Sequence, residues 1–295
     1  MKNRTLYLLL ALALVVLAAV FYWINSKEPP RYDWSDSQTK TAYSEQNDQP
    51  YGTQILHRLL ADYFPKHQRI DIQKDLANEL PLDSLRQSSY VFVGEGLYLD
   101  SLSTAHLLAF VKAGNTALLS SKTIPFDLMF HLYFEECEDA EWNDYEMAEY
   151  ASVRASLLYP EGQPPVGLHY AQKNRKAPYR WSFIEPDFFC QKLGQRPLGF
   201  LNDSLINFAE FPFGKGRFLL HTTPIAFSNY LLLRKDTRRY AESLLSYLPK
   251  GNIYWDAYSR VPEMVARRRN QRRGYSRQLP SEHPLSYILQ QASLA

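Results

Sequence analysis

Cysteine, a surplus of charge of one sign, phosphate-loop glycines and metal-ligand spacings are all scarce in this chain. Over 295 residues, 33 Lys and Arg stand against 31 Asp and Glu, a formal net charge of +2. Residues 1–24 hold Lys2 and Arg4 and no acid, so the rest of the chain carries 31 cations and 31 anions. A neutral body lacks the cationic footprint of a nucleic-acid binder, and no nucleic-acid partner is expected. Two cysteines, Cys137 and Cys190, cannot build a disulfide scaffold; they permit at most one bridge and show no zinc-ligand spacing. The histidines are scattered without an H-E-x-x-H, no G-x-x-x-x-G-K-[ST] occurs, and no repeat period is present. No cofactor is expected on these grounds. Hydrophobic residues make up 45% of the chain and aromatics 14%, enough to bury a core, which excludes a disordered or collagen-like polypeptide.

Thr5 to Ile24 is uncharged throughout. At about 1.5 Å per residue such a helix spans the roughly 30 Å hydrocarbon core of a bilayer. Tyr7 at one end and Tyr22 and Trp23 at the other suit the two headgroup levels. Lys2, Arg4 and the small residues Ala18 and Ala19 would also fit a cleaved signal peptide, but the apolar run exceeds the usual signal core of about 7–15 residues. A transmembrane helix and a lipid-bilayer partner are therefore expected. The short cationic start places residues 1–4 in the cytoplasm and the body outside the cytoplasmic membrane, on the periplasmic or extracytoplasmic side. Lys27, Arg31 and Lys40 weigh little against this, because long domains translocate largely regardless of charge.

Residues 25–49 are polar, contain a Pro-Pro pair and have no apolar period, which predicts a tether. An α/β domain is predicted over 50–255. It begins with a helix in which Ile55, Leu56, Leu59, Leu60 and Phe64 recur at helical spacing, with Thr53 as the cap and Pro65 as the stop. RIDI at 69–72 and SYVFVG at 89–94 predict strands. Thr104 to Ala113 predicts a helix closed by Gly114, and NTALLSS after it another strand. That order is the unit of a parallel sheet with right-handed crossovers. Pro125 to Phe134 predicts a short helix. Short aromatic-rich strands over about 151–222 predict an antiparallel insertion, with PFGKG as a hairpin turn. Helices near 229–233 and 237–248 and a last strand, IYWD at 253–256, complete the domain.

The leading apolar helix, PYGTQILHRLL, YVFVGEG with LLAFVKAGN and TALLSS, then FGKGRFLLHTTPIAFSNYLL and IYWDAY form an ordered series of short motifs. In that series the chain resembles a bacterial membrane-anchored family known as domain-of-unknown-function 4350. The resemblance implies a flavodoxin-like, class I glutamine-amidotransferase-like fold. It also implies a second transmembrane helix after the domain and association with MoxR-type AAA+ ATPase systems. PLSYILQQASLA would be the run-in to that second helix. The acidic stretch 135–149 and the arginine-rich tail over 256–295 match no part of the family pattern.

An amidotransferase needs a nucleophile on a strand-to-helix elbow and a histidine to activate it. The elbow after TALLSS offers Ser120 and Ser121 in place of cysteine. His221, ending RFLLH, stands where such folds carry their histidine, without an acid two residues later. A Ser121–His221 dyad is the sharp candidate, and a capping serine beside a strand-end histidine the plainer one. Gly94-Glu95-Gly96 after a strand reads as a tight turn, and with Asn229 it marks a candidate ligand crevice at the strand ends. Eight acids over 135–149, with Glu138, Asp139, Glu141 and Asp144 central, could supply oxygens to Ca²⁺. They lack the Ca²⁺-loop pattern, so a solvated face is expected and no metal. Seven arginines over 260–277, opposed by Glu263 alone, read as a flexible linker, a docking strip for the acidic stretch or a partner, or a headgroup-binding segment. The expectation is a non-catalytic accessory or binding protein of a bacterial envelope complex. A degenerate serine hydrolase and a glycan-binding module are the alternatives.

Overall fold

Successive residues of the central strands enter two different cores. Val91, Val93, Leu118 and Leu219 pack into one; Tyr90, Phe92, Leu119 and Leu220 pack into the other. Strands buried on both faces read as continuous apolar runs, which is why SYVFV and TALL show no alternation. The structure is a computed structural model and describes residues 12–20, 42–82, 87–134, 147–159, 162–172, 175–186, 189 and 194–278.

The chain divides into two units, Met1–Asp33 and Trp34–Ala295. In the first, residues 12–20 are helical and exposed. Among the described residues no helix is long and apolar enough to cross a membrane, and the rest of the predicted span Thr5–Ile24 lies outside them.

The second unit is mixed α/β. Its ten-stranded sheet runs β1 (Arg69–Ile72), β13 (Ile253–Asp256), β2 (Ser89–Leu97), β3 (Thr116–Thr123), β12 (Gly216–His221), β11 (Leu205–Phe213), β10 (Arg196–Leu201), β5 (Ser152–Leu157), β6 (Val166–His169). The first five of these are parallel to their neighbours and the rest antiparallel. A two-residue strand, β14 (Arg260–Val261), pairs antiparallel with β2. One core holds the helices α1 (Gln54–Tyr63), α5 (Asn229–Leu232) and α6 (Lys235–Leu245); the other holds α2 (Leu76–Glu79), α3 (Ser101–Lys112) and α4 (Phe126–Met129). The helix α7 (Glu263–Gln278) follows β14.

Several expectations are corrected. The domain starts before Pro50, because Tyr43 and Glu45 are already buried. Thr53 sits at the N-cap of α1, but its hydroxyl donates to Tyr43 O at 2.7 Å and leaves the helix uncapped. The predicted insertion over 151–222 is not a separate layer. β12 belongs to the parallel set, and β11, β10, β5 and β6 extend the same sheet, leaving β4 (Met147–Tyr150) with β9 (Tyr179–Ser182) and β7 (Ala171–Gln172) with β8 (Arg175–Lys176) as small ribbons. Nor does the domain end at 255. Arg260 is buried, Ala266 packs against Gly96, and Asn270 Nδ2 donates to Ile124 O at 3.0 Å, so the start of the arginine-rich tail is part of the fold. The tether over 25–41, both cysteines, the acids of 135–146 and the run-in to a second membrane helix lie outside the described residues.

Candidate functional site

β2 and β3 do not end where the sequence suggests. β2 continues through Gly94-Glu95-Gly96 to Leu97, and β3 continues through Ser120 and Ser121 to Thr123. The two glycines are therefore strand residues beneath a covering layer rather than a tight turn. A Cβ on Gly94 would stand 2.9 Å from Arg260 Cγ, and one on Gly96 would stand 2.7 Å from Ala266 Cβ and 3.0 Å from Val261 O. Only a residue without a side chain lets β14 and α7 lie this close.

The parallel register that pairs Gly94 with Ser121 and Gly96 with Thr123 sets Glu95 beside Lys122. Lys122 Nζ lies 3.0 Å from Glu95 Oε2 and 3.4 Å from Glu263 Oε2. It also stands 3.7 Å over the ring of Tyr179. The phenols of Tyr179 and Tyr43 donate to Glu95 Oε1 at 3.0 and 3.2 Å. Glu263 is held in turn by Arg267, Nε to Oε1 at 2.8 Å. Burial raises the Glu95 carboxyl above its ordinary range; Lys122 pulls it back and Glu263 pushes it further up. Burial also pushes Glu263 up, but Lys122 and Arg267 outweigh it and the carboxyl stays below its ordinary range. Tyr43 and Tyr179 are raised well above a free phenol by burial and by the Glu95 charge.

Beside this cluster Arg260 Nε donates to Val93 O at 3.1 Å, and its Nη2 lies 3.5 Å from Glu45 Oε2. Trp255 Nε1 donates to the same carboxylate oxygen at 3.4 Å. Segments from near both ends of the fold thus meet on one set of buried charges. Glu95, Lys122 and Glu263 are 2%, 2% and 6% exposed, so no substrate reaches them. Their chemistry is that of a lock rather than a reaction centre.

The open feature at this edge is a groove of about 310 Å³ past the carboxyl ends of β1, β13 and β2, lined by Asp75, Tyr98, Ser103, Tyr258, Arg260 and Arg269. Asp256 Oδ1 shapes its wall by accepting from Tyr258 N and Ser259 N, both at 2.8 Å. The guanidinium of Arg269 lies 3.8 Å over the Tyr98 ring. Cations and carboxylates line it together, a surface suited to a ligand or peptide carrying both charges.

The expected dyad is not formed. His221 pairs in register with Ser120, and its Nδ1 shares a 2.8 Å hydrogen bond with Ser120 Oγ. Ser121 points to the opposite face, its hydroxyl engaged with Thr123 O at 2.8 Å and Glu95 O at 3.2 Å. A one-residue offset in a strand exchanges faces, and that is the whole difference. His221 is completely buried, between Phe208 and Phe227, with Tyr240 Oη 3.4 Å from Nε2. Burial lowers its pKa to about 3, so it is neutral.

Asn229 is buried. Its Nδ2 donates to Asn47 O and Gln49 O at 2.9 and 2.8 Å, and its Oδ1 accepts from Ile55 N at 2.9 Å, which clamps the entering chain. Among the described residues no cluster of His, Cys, Asp and Glu could hold a metal ion, and Glu138, Asp139, Glu141 and Asp144 lie outside them. Sequence reasoning missed the Glu95–Lys122–Glu263 cluster. Its signal was present: one acid between strand glycines, and one lysine ending an apolar strand, neither with a local partner.

A family model described as Domain of unknown function (DUF4350) matches residues 45–245. The match stops short of β13, β14 and α7, which complete the buried cluster. No curated protein matches the chain.

Proposed function

The chain belongs to the DUF4350 family, and from that premise we propose that it is a membrane-anchored, non-catalytic binding or accessory protein of a bacterial envelope complex. The observation that carries this reading is the closure of the position where a nucleophile would stand. β3 passes through Ser120 and Ser121 without an elbow, and the histidine that meets Ser120 is neutral and sealed from solvent. A nucleophile needs a base that can take its proton at an accessible carbonyl, and this pair has neither access nor an orienting acid.

The parallel run of β1, β2, β3 and β12, with α2 and α3 packed on one face of the sheet, supports a flavodoxin-like, glutamine-amidotransferase-like assignment. The uncharged run Thr5–Ile24 supports an anchor in the cytoplasmic membrane, and Lys2 with Arg4 supports a periplasmic or extracytoplasmic body. The MoxR-type AAA+ association rests on the family resemblance alone. A glycan platform is not favoured, since Tyr179, Trp181, Phe208 and Phe211 are buried.

The detergent-solubilised full chain tests this reading against an activated ester. Equal background hydrolysis by the wild type, Ser120→Ala and Ser121→Ala is expected. Loss of hydrolysis in either variant would establish a serine hydrolase and overturn the proposal.

A further inference from the structure

Leu233 stands at the turn between α5 and α6 with 75% of its surface exposed, the most exposed large hydrophobic residue among those described. Four of the six residues that follow it are cations, Arg234, Lys235, Arg238 and Arg239, all exposed, opposed in that stretch by Asp236. Beyond it Glu242 lies 3.7 Å from Arg238. Arg234 Nη1 lies 3.1 Å from His169 Nδ1, and the exposed Lys176 pairs across the β7–β8 ribbon with Ala171, two residues after His169. His169 is occupied by Tyr230 Oη at 2.7 Å and is held below its ordinary pKa first by burial and then by Arg234 and Lys176. It adds no charge at neutral pH.

The patch sits where the chain enters the domain. Asn229 N donates to Gly52 O and Tyr230 N to Pro50 O, both at 2.8 Å, four and three residues before Leu233. Between Ile24 and Ala42 lie only the residues 25–41, and a segment of that length reaches at most about 60 Å. We propose that Leu233 and the surrounding cations of α6 and the β7–β8 ribbon form a membrane-docking face, which seats the domain on anionic phospholipid headgroups with Leu233 inserted at the interface. This rests on the reading of Thr5–Ile24 as the anchor. A lone apolar side chain ringed by cations fits such a surface, where the cations meet the negative potential and the leucine meets acyl carbon. A short connection to the bilayer holds the effective concentration of that surface high.

The test uses the full chain in nanodiscs of phosphatidylcholine alone or with phosphatidylglycerol, and reads the rate at which an amine-reactive reagent modifies Lys235. Lys215, exposed in the β11–β12 turn at the opposite, amino-terminal edge of the sheet, is the internal control. In discs with phosphatidylglycerol Lys235 should react about tenfold more slowly than in neutral discs, with Lys215 unchanged, and high salt should abolish the difference. Leu233→Ser and Arg239→Glu, both at exposed positions, should each restore most of the rate. Equal rates in the two discs, or protection that survives both substitutions, would overturn the proposal. Failure of the chain to incorporate into discs would remove the anchor instead. Protection of Lys235 by added anionic vesicles would then decide the docking face by itself, and its absence would overturn it.

Discussion

The ammonium of Lys122 stands 3.0 Å from Oε2 of Glu95, with each side chain 3% exposed. An ion pair this deep is weak evidence of net stabilisation, yet removing one partner leaves an uncompensated charge. Lys122→Met is expected to destabilise the protein by about 3–5 kcal/mol in urea denaturation followed by tryptophan fluorescence. Lys122→Met with Glu95→Gln should recover a large part of that loss, since neither charge then remains unpaired. A single-variant loss below about 1 kcal/mol would mean that water reaches the pair.

Acid sensitivity should report His221. Its folded pKa is depressed to about 3, against 6.5 for the free side chain. The unfolded chain therefore takes up a proton below about 6.5 that the folded chain refuses, so stability is present above that value and lost as pH falls towards 3. At roughly 1.4 kcal/mol per unit the full loss is about 5 kcal/mol. His221→Asn should flatten the stability profile between pH 6.5 and 4. Glu95 works in the other sense: its raised carboxyl contributes most below 4.5 and loses that contribution as pH rises through the folded value. An unchanged slope in His221→Asn would assign the acid loss to another group.

Gly96→Ala tests the close approach of α7. The new Cβ would meet Ala266 Cβ at 2.7 Å and the fixed Val261 carbonyl at 3.0 Å. A loss of about 1–3 kcal/mol is expected, with faster proteolysis within Glu263–Gln278. Ala266→Gly in the same chain should return part of the loss. A thermal melt identical to wild type would show that the helix does not bear on the strand.

Asn229→Ala takes away the side-chain N–H groups that donate to Asn47 O and Gln49 O and the oxygen that accepts from Ile55 N. Gln49 O keeps its bond from Gly52 N and the other groups are only part-buried, so the loss is about 1–3 kcal/mol in all. Amide exchange over residues 47–55 should accelerate well before global unfolding. Exchange that speeds up equally everywhere would show that the segment and the sheet open together.

Local patterns carried much of the fold. The spacing in QILHRLLADY gave α1, RIDI gave β1, and Gly114 and Gly214 adopt the positive φ angles, +119° and +58°, that their turn positions implied. The misreadings share one cause, which is partners distant in sequence. Gly94 and Gly96 looked like a turn because the residues that cover them, Arg260 and Ala266, come some 170 positions later. Glu95 and Lys122 give no sign of each other in the sequence because each is neutralised only across the sheet or by α7. The Ser120–His221 register depends on how β3 meets β12, a fact that neither strand contains alone. The arginine-rich tail left linker, docking strip and headgroup-binding segment all open, because composition does not reveal which arginine is buried.

β13 lies between β1 and β2 although 155 residues of chain separate Leu97 from Ile253. During synthesis the slot between the two earlier strands stays open until IYWD has left the ribosome. At elongation rates of about 5–20 residues per second that is on the order of ten seconds or more. Through that interval the backbone edge of β2 and the Glu95–Lys122 pair wait without their cover. Truncations upstream of residue 253 should accumulate as aggregates rather than as smaller folded domains.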